Sequence, residues 1–338
     1  MIIKTQSYPR AALIGNPSDG YFGKTIAFVF RNFSASVQLY ESPLLEIKPE
    51  KLDQPVFDSI EALVDGIKLN GYYGGVRLLK ATIKTFYRYC QKEGIPLARR
   101  NFTICYRSDI PLRLGLAGSS AIITAAMKAL MQFYEVNIPR PVMANLVLSV
   151  EVDQLGISAG LQDRVAQAYE HPVFMDFNRA LMERQGYGDY RMIDPKLLPP
   201  IYIAYRSDQS QGSEVTHNNL KARFVIGEQV VLAAMEEWAR LTIEFLDAME
   251  QKDVPRMHRL INRNYDLRES LIEITEENKE MVRLARSLGV SAKFTGSGGA
   301  IIGLFDREEQ FFLLKERFRE KEIEVIRPDL VFQQEDPS

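Results

Sequence analysis

Cysteine is nearly missing from this chain: Cys90 and Cys105 are the two present in 338 residues. Two thiols cannot build a disulfide framework, and no CxxC pair or Cys/His cluster offers a structural metal site. A reduced, cytoplasmic setting is the expectation, with both cysteines as packing residues. Histidine is almost as sparse. His171, His217 and His258 stand in unrelated contexts without ligand spacing, which gives them structural or surface roles. Net charge is missing too, because 42 basic side chains meet 44 acidic ones. That balance carries no electrostatic footprint for nucleic acid. Long apolar runs are absent: residues 142–150 form the longest, contain Asn145 and Ser149, and are well short of the roughly 20 residues that span a bilayer. Residues 1–10 are polar and lack the apolar stretch of a signal peptide. A cytoplasmic protein with neither nucleic acid nor membrane as partner is expected, and oligomeric state is left open.

What is present suffices for two cores, since domains hold about 100–200 residues each. Short strands are expected over 11–14 and 26–30, around the turn-rich loop Gly15-Asn-Pro-Ser-Asp-Gly-Tyr-Phe-Gly23. Residues 34–40 alternate apolar and polar, the period of a half-buried strand. Residues 76–90 repeat at helical spacing, 102–106 read as a strand, and 121–134 form a strongly apolar helix that implies burial on most sides. A helix over 139–155 is broken at 156–160 and followed by another at 161–169. Strands are expected at 172–177, 201–205 and 324–327, and helices at 229–249, 276–288 and 311–320. Residues 293–305 read as strand, glycine loop, strand. The stretch 180–200 is rich in Gly, Pro and charge, and the domain boundary is placed there: 1–190 and 191–338. The fold class is α+β, and the tail 333–338 is expected to fray.

One segment carries most of the chemistry: Pro111-Leu-Arg-Leu-Gly-Leu-Ala-Gly-Ser-Ser-Ala121. Glycines permit close backbone approach and positive φ. Two serines then precede a good helix, whose N-terminus offers unpaired N–H groups and a positive dipole end suited to polyphosphate. A plain serine cap after a glycine turn is the competing reading. A second cluster, Thr295-Gly-Ser-Gly-Gly-Ala300, offers either a nest of N–H donors or a tight strand-to-strand turn. It lacks the GxGxxG spacing of dinucleotide binders. Phe22-Gly23-Lys24-Thr25 imitates the end of a Walker A loop, but Ser18 stands where its first glycine is required, which rejects that motif. Asp19 and Lys24 remain as an acid and a base in a glycine-bearing loop. Glu151 and Asp163, twelve residues apart across a glycine break and with Arg164 beside the aspartate, suit a division between metal binding and orientation of an attacking hydroxyl. For each carboxylate alone, a solvated helix face is the alternative.

Taken together, these segments resemble the GHMP kinase superfamily. Its second motif, P-x-x-x-G-L-x-(S/G)-S-S-A, is matched from Pro111 to Ala121; its first by Leu13-Ile-Gly-Asn-Pro-Ser-Asp19, and its third from Lys293 to Gly299. One branch, the glucuronokinases, is similar in further strings: Asn70-Gly-Tyr-Tyr-Gly-Gly-Val-Arg-Leu-Leu79 and Ala159-Gly-Leu-Gln-Asp-Arg-Val-Ala-Gln167. Asn16-Pro17 replaces the Glu-His of galactokinase-type members, which argues against a plain galactokinase.

The resemblance implies a two-domain fold: an N-terminal α+β ATP-binding domain, a C-terminal ferredoxin-like α+β domain, and a site in the cleft between them. It implies transfer of phosphate from ATP, with Mg2+, to the anomeric hydroxyl of D-glucuronate. Pro111, Gly115, Leu116, Ala117, Gly118, Ser119, Ser120 and Ala121 would hold ATP, with Ser120 and Glu151 at Mg2+. Asp163 would face the acceptor hydroxyl and Lys24 would assist it. Asp19 would contact the sugar, and Gly296, Ser297 and Gly298 would close over the phosphate and substrate side. A small sugar acid needs a cation for its carboxylate; Arg113, Arg164 and Lys24 qualify by position, with Arg77 beside Tyr72 and Tyr73. The alternatives are a kinase of another sugar or sugar phosphate (arabinose, galactose, galacturonate, a heptose phosphate) and a non-catalytic sensor of sugar and ATP.

Overall fold

The structure, a computed structural model, describes residues 1–50, 74–206 and 217–332, with the side chains of 217–219 excepted. Residues 70–73, the tail 333–338 and the side chain of His217 lie outside the described residues. The strands run β1 Ile2–Ser7, β2 Arg10–Ile14, β3 Lys24–Val29, β4 Ala35–Ser42, β5 Glu46–Ile47, β6 Asn101–Ser108, β7 Val173–Asp176, β8 Asp189–Met192, β9 Ile201–Arg206, β10 Lys293–Phe294, β11 Ala300–Leu304 and β12 Ile323–Ile326. The helices are α1 Gly75–Lys92, α2 Gly118–Tyr134, α3 Arg140–Ser149, α4 Gln162–Tyr169, α5 Arg179–Gln185, α6 His217–Val225, α7 Gln229–Glu250, α8 Val254–Leu271, α9 Glu276–Ser287 and α10 Glu308–Arg319. None of the described helices is long and apolar enough to cross a membrane.

The chain folds into two compact units, and each draws on separated stretches of sequence. The first contains Met1–Pro9, Phe33–Ile110 and Ala117–Ala168. Its sheet has the order β1-β4-β6-β5, with β1, β4 and β6 antiparallel and β5 parallel to β6. The alternation in β1 and β4 buries one face, as the period-2 pattern requires. Helix α2 packs on that face: the Thr5 hydroxyl donates to the Ala125 carbonyl at 2.7 Å. The all-round apolarity of α2 is matched by burial of its Ala, Ile and Leu residues and of Met127. Phe133 closes this core edge-to-face on Phe102, ring centres 5.4 Å apart.

The second unit contains Arg10–Asn32, Pro111–Leu116 and the described part of Tyr169–Ser338. One antiparallel sheet has the order β2-β3-β7-β8, and β2 is buried along its whole length. The other has the order β10-β11-β9-β12, all antiparallel. In sequence it runs strand, helices, strand, strand, helix, strand. That order and connection make it the ferredoxin-like β-α-β-β-α-β arrangement, expected above. Its core gathers Tyr202, Phe294, Phe311 and Phe318.

Two stretches hold more structure than their composition announces. Residues 180–200 contain most of α5 and all of β8, because Asn178 caps the helix by accepting from Ala180 and Leu181 N–H and Gly186 ends it in the left-handed region. Helix α8 is rich in Arg and Asn, yet its start signals are conventional: Asp253 accepts from the Arg256 N–H and Pro255 sits in the first turn. Replacing Phe133 with alanine is expected to cost about 3–5 kcal/mol of stability, read from the shift of the urea unfolding curve.

Candidate active site

The glycine segment falls partly in each unit: residues 111–116 belong to the second and 117–121 to the first. Its backbone is unusual. Arg113, Gly115 and Ala117 adopt φ of 60°, 65° and 61° and alternate with Leu114 and Leu116, which are buried anchors. Alternation of left-handed and ordinary residues turns successive N–H groups toward one concavity. Left-handed φ at Arg113 and Ala117 is strained for residues with a Cβ, and such strain clusters at ligand sites. Helix α2 starts at Gly118 with no side chain capping its first turn, so those N–H groups remain for an anion.

The two serines differ. Ser119 donates to Glu151 Oε1 at 2.6 Å. Ser120 is fully buried and its hydroxyl donates to the Ala117 carbonyl at 3.1 Å. The resemblance implied Ser120 beside the metal; in the structure, helix phase turns Ser119, and not Ser120, to the Glu151 carboxylate. Gln167 Nε2 also donates to the Ala117 carbonyl and, from the same atom, to that of Tyr8, both at 3.0 Å, which ties the loop's end to β1's exit.

Glu151 rides on a turn where α3 loosens into a π-helix, Val150–Gln154; such turns often mark functional positions. Its carboxylate is buried. Arg164 donates to Glu151 Oε2 from Nε at 2.8 Å and also from Nη2. Nη1 of Arg164 bonds the Gly160 carbonyl at 2.8 Å and stands 3.1 Å from Asp163 Oδ2. One guanidinium thus lies between both sequence-predicted carboxylates and fixes their spacing. All three of its nitrogens are engaged by the protein. Asp163 keeps partial exposure, its side chain 15% accessible.

In the second unit, Asp19 sits on the 3-10 turn Ser18–Tyr21 and is partly exposed. Burial first, and the Asp19 charge second, push the Tyr21 hydroxyl up to about 12. Tyr190 is likewise pushed up to about 12, chiefly by burial, with Asp19 among the smaller contributors. Lys24 pairs with Asp176 across β3 and β7, where the two residues are in register. The ammonium is held in that ion pair. Arg113 is exposed.

The two glycine clusters meet in this unit. A Cβ on Gly115 would lie 2.8 Å from the Ser297 nitrogen, and one on Gly296 would lie 2.3 Å from the Gly115 carbonyl oxygen. Only glycine allows that approach. Buried cations hold the contact from behind. Arg10 Nη1 donates to the carbonyls of Thr295 at 2.5 Å and Gly115 at 3.3 Å. Arg268 donates to Gly296 O at 2.8 Å and Ser297 O at 2.9 Å. Lys293 Nζ bonds the carbonyls of Ala12 and Phe294 at 2.7 and 2.8 Å. Asn264 accepts the Gly15 N–H at 2.7 Å and donates to Asn16 O, bracing the first glycine loop. Arg10, Asn264 and Arg268 lie outside every recognisable motif, and no sequence signal singles them out; Lys293 begins the third motif without suggesting burial.

Comparison with known proteins fits this geometry. The model of the GHMP kinases N terminal domain matches residues 77–171, and that of the GHMP kinases C terminal matches 245–323. The chain is 44% identical over 308 residues to "Probable glucuronokinase 2" of Arabidopsis thaliana, covering 89% of this chain and 84% of that protein. It is 42% identical to "Glucuronokinase 1" of the same plant over 306 residues, again 89% and 84%. Among solved structures, the galactokinase of Lactococcus lactis complexed with galactose superposes with a TM-score of 0.74 at 16% identity, over 98% of this chain and 94% of that one.

Two measurements probe the buried charges. Glu151→Ala leaves the Arg164 guanidinium buried without its main partner and is expected to destabilise by about 3–5 kcal/mol; adding Arg164→Met recovers part of that loss in urea unfolding. Burial, with Arg268 and Arg10 nearby, holds the Lys293 ammonium well below the usual lysine range. The unfolded chain therefore binds more protons from that lowered value up to about 10.4. Stability rises with pH across this window. In Lys293→Met the rise in Tm between about pH 7 and 9 is expected to shrink relative to the wild type.

Proposed function

The chain belongs to the GHMP kinases, and within that family we propose that it phosphorylates the anomeric hydroxyl of D-glucuronate with ATP, giving glucuronate 1-phosphate and ADP. The single observation that carries the substrate is the identity of 42–44% to two glucuronokinases over most of both chains. The family supplies ATP as phosphoryl donor. A cytoplasmic setting remains part of the proposal, on the cysteine count.

Gly115 to Ala121 present N–H donors and a helix N-terminus to the ATP phosphates. Ser119 and Glu151 fit a Mg2+ ion: two hard oxygen donors 2.6 Å apart, a number that leaves positions for water and phosphate oxygens. Ser119 is proposed here in preference to Ser120 because its oxygen stands beside the Glu151 carboxylate, whereas that of Ser120 is turned to the Ala117 carbonyl. Mg2+, when bound, neutralises charge on the transferring phosphoryl group. Arg164 holds Glu151 and Asp163 apart at a fixed distance. Asp163 then orients the 1-hydroxyl and accepts its proton as the new O–P bond forms. Phosphoryl transfer through a loose transition state needs mainly this kind of positioning.

Asp19 is proposed at the sugar hydroxyls, with Gly296, Ser297 and Gly298 closing over the phosphates beside them. Lys24, fixed by Asp176, contributes positive field and not proton abstraction. Of the cations singled out for the uronate carboxylate, Arg77 and Arg113 are the exposed ones, and Arg113, inside the glycine segment, takes that role in this proposal.

A coupled ADP-release assay over glucuronate, galacturonate, arabinose, galactose and a heptose phosphate tests the substrate. Glucuronate is expected to give the highest kcat/KM. Brisk turnover of a neutral sugar with none of either uronate overturns the assignment. Asp163→Asn is expected to lower kcat by about 100-fold or more, while ATP affinity changes little.

A further inference from the structure

Arg268 on α8 is buried, 3% exposed, and among the described residues its guanidinium meets no carboxylate: it donates to the carbonyls of Gly296 and Ser297. Its Nε is buried without a hydrogen-bond partner, and its guanidinium lies over the Phe294 ring, 5.1 Å from the centre. Burial pulls the group down to about 10 from its ordinary value. A cation held this way is a poor device for stability, since an apolar side chain of similar size would pack there without the desolvation cost. Its geometry does something an apolar side chain cannot.

In a trans peptide the C=O and the following N–H point in opposite directions. By gripping the carbonyls of Gly296 and Ser297, Arg268 fixes two successive peptide planes. The N–H groups of Ser297 and Gly298 must then face away from it. Among the described residues neither N–H finds an acceptor, whereas the next one, Gly299 N–H, donates to Asn278 Oδ1 at 3.1 Å. The Ser297 nitrogen lies against Gly115, in the phosphate segment itself. Arg10 does the same on adjacent planes by holding the carbonyls of Thr295 and Gly115. Unpaired N–H groups turned one way are anion donors.

We propose that Arg268 is a positioning residue for the polyphosphate of ATP: its fork across Gly296 O and Ser297 O aims the Ser297 and Gly298 N–H groups at the phosphates beyond the α-phosphate. The proposal rests on the kinase reading above for the identity of the nucleotide, and not on the choice of sugar. It extends the nucleotide site to a helix that holds none of the family's motifs.

The test compares the full-length wild type with Arg268→Gln and Arg268→Lys by calorimetric titration with ATP and with AMP, beside steady-state kinetics and a thermal melt. In Arg268→Gln the Kd for ATP is expected to rise about tenfold or more, with AMP affinity within about twofold and KM for the sugar unchanged. Arg268→Lys keeps the charge and the aliphatic stem but replaces two fixed guanidinium nitrogens, each holding one carbonyl, with a single rotatable ammonium, so the planar fork that sets both peptide planes is lost and it is expected to remain close to the Gln variant for ATP. Should Arg268→Gln fail to fold, the Lys variant decides alone. Wild-type ATP affinity in Arg268→Lys, or equal losses for ATP and AMP, overturns the proposal. If the wild type turns over no uronate yet the ATP-to-AMP contrast appears, the substrate reading falls and this one stands. Intact glucuronate turnover with no contrast has the opposite meaning.

Discussion

A buried guanidinium between two carboxylates is the constraint on which the cluster of Ser119, Glu151 and Asp163 depends. Arg164 grips Glu151 with two nitrogens and reaches Asp163 and the Gly160 carbonyl with the third. A charge so far from water persists only if its partners are held in place. The partners are held by backbone: Glu151 by a π-helical turn and Asp163 by the first turn of α4. Ser119 completes the set from the start of α2. Three helices thus agree on one arrangement of oxygens, and none of them can shift without stranding a buried charge.

The second unit solves a different problem, the close approach of two loops. Gly115 and Gly296 leave no room for a methyl group. Loops that touch through backbone have no side chains with which to hold one another, so the grip comes from behind. Arg10, Arg268 and Lys293 supply it through carbonyl oxygens. The cost of burying these cations is offset by rigid peptide planes, and a rigid plane is what an anion site built from N–H groups requires.

Much of this was legible beforehand. The apolar run after Ser120 had to be a buried helix, and α2 is one. The Leu13–Gly23 and Lys293–Gly299 strings had to be turns beside strands, and β2, β3, β10 and β11 flank them. Residues 180–200 misled because charge and glycine hide a short capped helix and an exposed strand, whose amphipathic signal is weak. Helix α8 escaped notice although Asp253 and Pro255 announce it. At the site, Glu151, Asp163 and Arg164 could all be named from the sequence, but not that one guanidinium joins the two carboxylates, because a sequence shows charge and not what the charge already touches.

The sequence by itself determined which features this protein carries: a glycine segment ahead of a helix, two carboxylates, and the family they belong to. Those features are local, set by residue type and spacing within a dozen positions. Tertiary structure alone decided which serine meets Glu151, that Lys24 is bound to Asp176, and that Arg10 and Arg268 hold a loop up to 285 residues away. Such pairings depend on helix phase, strand register and burial, and these are fixed only when distant segments pack against one another.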